Sequence, residues 1–122
     1  MQGIANTLVT AATSSDTQRH LPSASAFVRE SLMRQVPEGY ARNCEALAQG
    51  VGVDASKVAC PTLLLTGDED KTAPSEAMTA LTSRIAGARS HVIAGCGHWA
   101  TIERARQVNS YLSDFLAQGR TR

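Results

Sequence analysis

Pro61-Thr62-Leu63-Leu64-Leu65-Thr66-Gly67-Asp68-Glu69-Asp70 is followed, one helix later, by Ser90-His91-Val92-Ile93-Ala94-Gly95-Cys96-Gly97-His98. Each stretch is a short apolar run that reaches a glycine and then delivers a reactive side chain, a carboxylate in the first and an imidazole in the second. The continuous run Thr62 to Thr66 lacks polar alternation, which suits a strand covered on both faces. Pro74 and Ser75 then open a helix with Met78, Leu81 and Ile85 facing inward, Gly87 closes it, and His91 to Ala94 form a second short strand. Strand, helix, strand in that order predicts a parallel pair. Asp70 and His98 then share one rim of the sheet, where open α/β folds bind ligands.

Outward from this core, a last helix is expected from Arg104 to Ala117, with Val108, Tyr111, Leu112, Phe115 and Leu116 on its inner face. The polar tail Gln118 to Arg122 is expected to fray. Upstream the pattern is helical and almost free of strand signal. Ile4, Leu8 and Ala11 or Ala12 mark a first helix before the polar stretch Thr13-Ser14-Ser15-Asp16-Thr17, and Phe27, Val28, Leu32 and Met33 mark a second. Pro37-Glu38-Gly39 interrupts the pattern, and Tyr40, Cys44 and Leu47 form one face of a third helix ending near Gly50. The chain therefore divides into a helical segment over 1–57 and a β-α-β-α unit over 58–122.

Composition narrows the partners. Twelve basic and eleven acidic residues leave a net charge of +1, scattered along 122 residues, so neither a nucleic-acid nor an anionic-membrane footprint is visible. No apolar run approaches the roughly twenty residues of a spanning helix, and the amino terminus lacks a signal-peptide layout, so a cytoplasmic protein is expected. Cys44, Cys60 and Cys96 fit neither a disulfide framework nor a metal site, and no cofactor is implied.

The chemistry that needs a carboxylate and an imidazole at one rim is nucleophilic hydrolysis. An imidazole takes the proton of a serine hydroxyl and returns it to the leaving group, while the carboxylate fixes its tautomer. The serine usually stands in Gly-x-Ser-x-Gly, and that pentapeptide does not occur in these 122 residues. Asp68 competes with Asp70 for the acid role, and Asp68-Glu69-Asp70 also reads as a solvated acidic turn. Cys96, two residues before His98, invites a thiol nucleophile, although neighbours in one tight turn seldom reach in-line geometry. His91 within a strand and His20 in a polar loop read as structural or surface groups, and Trp99 beside His98 reads as packing or as the lining of an acyl pocket. Tyr40 and Cys44 read as packing groups.

With these residues placed, the chain resembles the carboxy-terminal half of an α/β-hydrolase of the single-domain lactonase and esterase type. In that family a helical cap follows the sixth strand, and the seventh ends in Gly-x-x-Asp followed by proline, here Gly67 to Asp70 and Pro74. The eighth leads to a Gly-His turn with a later glutamate, here Gly97-His98 and Glu103, while Ala105 stands where proline is usual. The resemblance implies Asp70 as acid and His98 as base, and residues 1–57 as cap; Phe27 to Met33 and Pro37 to Ala41 are similar to the enol-lactonase-like branch. It also implies a partial fold, since the first six strands, the nucleophile elbow and the oxyanion-forming loop precede the cap. The function so implied is hydrolysis of small esters or lactones when a nucleophile-bearing half completes the site. The alternative is a non-catalytic binding or oligomerisation module. A two-stranded sheet is too small to stand alone, and the 62–66 strand edge invites pairing, so a homo-oligomer is expected, through that edge or through exchanged cap helices.

Overall fold

The computed structural model describes residues 1–119. Leu63–Gly67 forms β1 and Arg89–Ile93 forms β2, paired in parallel with Leu65 opposite His91. β1 starts one residue later than the apolar run, and β2 two residues earlier than its own. The polar start of β2 is accommodated on the α7 side, where the Arg89 guanidinium lies 4.9 Å from the centre of the Phe115 ring and His91 stacks on Tyr111 at 4.1 Å. The expectation of a strand covered on both faces is met only in part. Leu63, Leu64 and Leu65 are half-buried, while Thr66 and Gly67 are buried, because the sheet has two strands among the described residues.

Between the strands runs α5 (Ser75–Arg84), with Pro74 as its N-cap. Met78 and Ile85 are buried as expected, but Leu81 is 39% exposed. Beyond β2 the expected helix from Arg104 to Ala117 is present, and a further turn of helix precedes it. α6 (Ala100–Glu103) is one turn, Arg104 breaks the helix at φ −135, and α7 (Ala105–Gly119) follows. Ala105 is thus the first residue of α7, a position where proline and alanine are both accommodated. Gln118 is still helical; the remainder of the tail expected to fray, 120–122, lies outside the described residues. Ile93, Cys96 and Val108 form one core, joined by Leu65, Ala100 and Tyr111.

The first half is α1 (Gln2–Ala12), α2 (Ser15–His20), α3 (Pro22–Met33), α4 (Pro37–Ala48) and a 3₁₀ turn at Ala55–Lys57. α1 and α3 pack through Ala5, Val28 and Leu32, and the cluster draws in Leu8, Val9, Tyr40, Trp99 and Ile102. The buried faces are rotated from those read in the sequence, since Ile4 and Phe27 are exposed and small Ala5 lies inside. The polar stretch is the larger surprise. Thr13, Ser14 and Thr17 are buried, because Ser14 caps α2, its Oγ accepting the Thr17 N–H at 3.1 Å. His20 accordingly ends a helix rather than lying in a loop. Pro37 begins α4 instead of interrupting it, and α4 buries none of its residues, with Leu47 81% exposed. Among the described residues no helix is long and apolar enough to cross a membrane.

Two glycines set how closely the loops approach. A Cβ on Gly67 would lie 2.0 Å from the Cys96 carbonyl oxygen, and one on Gly97 would lie 2.6 Å from that of Ala12 and 2.8 Å from the Ser14 nitrogen. Those neighbours are backbone and cannot swing away. Gly67→Ala is therefore expected to cost about 3 kcal/mol or more, or to prevent folding. Gly3→Ala on α1, where a Cβ meets nothing within 4 Å, is expected to be neutral or to stabilise by up to about 1 kcal/mol. Urea unfolding of the two variants checks the contrast; equal effects would contradict it.

Candidate active site

β1 and β2 run side by side in one direction, so the loops that leave them emerge together. Backbone bonds then join the two loops. The Asp68 N–H donates to Ile93 O at 3.0 Å and the Glu69 N–H to Cys96 O at 2.9 Å. The three acidic residues at the end of β1 point to three different places. Asp68 Oδ1 accepts the Cys96 N–H at 3.1 Å. Glu69 accepts the N–H and the hydroxyl of Ser15, at 2.9 and 3.2 Å. Asp70 turns inward, 7% exposed.

Asp70 is held on both oxygens. Oδ1 accepts the N–H groups of Thr72 and Ala73 at 2.8 and 2.9 Å, an Asx-type arrangement that the following turn creates. Oδ2 lies 2.9 Å from Nδ1 of His98 and 3.4 Å from the Thr66 hydroxyl, and that hydroxyl donates to Ala73 O at 2.7 Å. Burial alone would raise the Asp70 carboxyl, but the Ala73 amide, His98 and the Thr72 amide outweigh it and hold the group below the ordinary aspartate value of 3.8. The carboxylate is ionised at neutral pH.

His98 has its backbone fixed by an N–H donated to Ala12 O at 2.8 Å, and its side chain is 41% exposed. With Nδ1 facing a carboxylate, the neutral ring carries its proton there and leaves Nε2 as a bare acceptor. Among the described residues Nε2 has no hydrogen-bond partner. A buried carboxylate, an imidazole bonded to it and a ring nitrogen with no partner among the described residues lie together here, and it is Asp70, not Asp68, that meets His98.

The remaining candidates lie elsewhere. Cys96 is fully buried, and burial, with Glu103 nearby, pushes its thiol up to about 12, so no thiolate is available at neutral pH. Cys44 and Cys60 are exposed and free. His91 lies on Tyr111, and His20 is exposed with Nδ1 2.8 Å from Asp16. Trp99 and Tyr40 pack against the Val28 core. Among the described residues no three His, Cys, Asp or Glu side chains gather as a metal set. The sequence reading missed the supporting groups Ser14, Ser15, Thr66 and Arg104. Arg104 ties Asp16, at 2.6 Å, to Gly95 O and so fastens α2 to the loop before His98. Ser14 and Thr66 carry no pattern that sets them apart from surface hydroxyls, although Arg104, directly after Glu103, is a charge at the start of a helix and gives a weak signal.

A family model for TAP-like protein matches residues 37–122, a stretch that includes both site loops. A 2-hydroxy-6-oxononadienedioate/2-hydroxy-6-oxononatrienedioate hydrolase of Klebsiella pneumoniae is 36% identical over 67 residues, 55% of this chain and 23% of that protein. A thermophilic esterase from Thermogutta terrifontis superposes with a TM-score of 0.90 at 25% identity, over 95% of this chain and 43% of its own. The enol-lactonase of Burkholderia xenovorans gives 0.87 at 28%, over 96% of this chain and 45% of its own. The chain thus spans less than half the length of these two structures, and the resemblance to the C-terminal part of the α/β-hydrolase fold is shown.

Two outcomes follow from the electrostatics. Folded Asp70 binds a proton less readily than the unfolded chain, so its contribution to stability is complete above about pH 4 and is lost as pH falls through the lower folded value. Asp70→Asn is expected to be less stable than the wild type at neutral pH, with the difference shrinking in acid; a gap that does not narrow at all in chemical denaturation between neutral pH and the most acid pH at which the chain folds would contradict this. With a chromogenic disulfide reagent, Cys44 and Cys60 are expected to react in the native protein and Cys96 only on unfolding. Three equally fast thiols would contradict the buried assignment.

Proposed function

Since this chain belongs to the TAP-like protein family and carries the C-terminal part of an α/β-hydrolase fold, we propose that Asp70 and His98 are the acid and base of a Ser-His-Asp relay for small esters or lactones, completed by a segment that bears the nucleophile. The observation that carries this reading is the 2.9 Å contact between Asp70 Oδ2 and His98 Nδ1 at the rim of the sheet. In the reaction, Nε2 accepts the serine proton as Oγ attacks the carbonyl carbon. The imidazolium formed is stabilised by the Asp70 carboxylate and then gives the proton to the leaving oxygen. Water repeats the cycle to release the acid. The substrate class is supported by what two similar structures are called, an esterase and an enol-lactonase. Among the described residues Nε2 has no hydrogen-bond partner, so the chain alone is expected to be inactive; supplying oxyanion-binding amides from the completing segment is worth about two to three orders of magnitude in rate.

A second reading is favoured by the open edge of β1 and by the apolar Val36, Leu47, Val51 and Val53, the last three more than 80% exposed. In it the chain is a non-catalytic binding or oligomerisation module, a homo-oligomer joined at the 62–66 edge or through cap helices. Light scattering at dilute concentration separates the two states, since a stable monomer removes self-association.

For catalysis, the purified chain is expected to neither turn over an activated ester nor be labelled by a serine-directed phosphonate. Mixed with an amino-terminal esterase segment containing Gly-x-Ser-x-Gly, it is expected to give turnover that His98→Ala abolishes and Asp70→Asn lowers about 10⁴-fold. Turnover by the mixture that survives His98→Ala would overturn the proposal.

A further inference from the structure

Glu103 is a carboxylate where carboxylates are rarely found, 3% exposed at the end of the one-turn α6. Among the described residues it forms no ion pair; its partners are backbone N–H groups. Oε2 accepts the Ser14 N–H at 2.8 Å, Oε1 accepts the Trp99 N–H at 3.1 Å, and the Gly97 N–H is shared between them at 3.2 and 3.1 Å. Gly97 and Trp99 flank His98. The amides on both sides of the imidazole therefore hang from one side chain, and the amide between them is tied to Ala12 O.

The third donor comes from a different part of the molecule. Ser14 belongs to the corner between α1 and α2, and its neighbour Ser15 grips Glu69, the residue before Asp70. One corner thus holds the loop of the acid through Glu69 and the loop of the imidazole through Glu103. We infer that Glu103 is a positioning residue for His98: it sets the ring against Asp70 and makes that setting depend on the α1–α2 corner. The inference rests on the proposed role of His98, but its readout does not need turnover.

The donor count explains why a glutamate is required. Three N–H groups converge on it, and a carboxylate offers acceptor sites on both oxygens and no hydrogen of its own. A glutamine of the same shape turns an NH₂ toward either Ser14 or Trp99, donor against donor. The loop must then open on one side. If the amide turns toward Trp99, the peptide after His98 is displaced; if toward Ser14, the corner is released.

The test uses the whole chain labelled with ¹⁵N-histidine and follows the Nδ1 proton that His98 shares with Asp70, with His91, stacked on Tyr111, as internal reference. Glu103→Gln is expected to lose this proton to solvent exchange while the His91 signals and the helical circular dichroism remain. Ser14→Ala, which keeps the N–H and removes only the hydroxyl, is expected to retain it. A folded Glu103→Gln chain with a lower melting temperature and an undisturbed His98 proton would overturn the inference, leaving Glu103 a purely structural group. Should that variant not fold, the wild type in urea below its unfolding midpoint decides: the Ser14 amide and the His98 proton are expected to lose protection together, and loss of the first with the second intact would overturn it. Failure to obtain esterase turnover in the mixing experiment would leave these signals unchanged, so the two proposals fail separately.

Discussion

A buried carboxylate surrounded by three amides holds this structure at its centre. Burying an unpaired carboxylate costs several kcal/mol, and leaving three buried N–H groups without acceptors costs about 1 to 3 kcal/mol each. Glu103 and the amides of Ser14, Gly97 and Trp99 cancel both penalties only when brought together. That requires α1 to end close against the loop after β2, which only glycine at position 97 permits. From this constraint follow the place of His98, the cap at the start of α2 and the burial of the polar Thr13, Ser14 and Thr17. The Asp70 contact is a consequence of two loops already held.

The strands, α5 and the meeting of Asp70 with His98 were legible because each rests on a local signal. An apolar run between proline and glycine, a Gly-x-x-Asp spacing and a Gly-His turn are readable without knowing what lies across the molecule. The parts that were not legible depend on distant partners. Ser14 reads like any surface residue until Glu103, 89 residues away, accepts its backbone N–H, and Thr66 does so until the turn after β1 folds Asp70 and Ala73 back onto its hydroxyl. The one-turn α6 was hidden because what sets it off from α7 is the Arg104 guanidinium reaching back to Asp16 and Gly95 rather than a helix-breaking residue. The rotated face of α1 has a packing cause, since close approach to Val28 selects Ala5 over the larger Ile4.

The same reasoning explains where the sequence pattern and the burial disagree. Leu63 to Leu65 are written as a central strand yet are only half covered, and α4 is amphipathic yet buries nothing. Both describe a surface composed for contact. The solved structures that match this chain extend over more than twice its length, and a further strand beside β1 would satisfy both its backbone edge and its apolar side chains. A second copy meets the same need less completely, because two open edges brought together still leave the α4 face bare unless the cap helices join the contact.

Native-state amide hydrogen exchange tests the central constraint most directly. If one carboxylate gathers the corner and the loop, the amides of Ser14, Gly97 and Trp99 share a single opening free energy, equal to that of the β1 and β2 amides. Gly97 and Trp99 exchanging early, while Ser14 and the strands stay protected, would mean that the loop bearing His98 is not held by Glu103, and the account would fail.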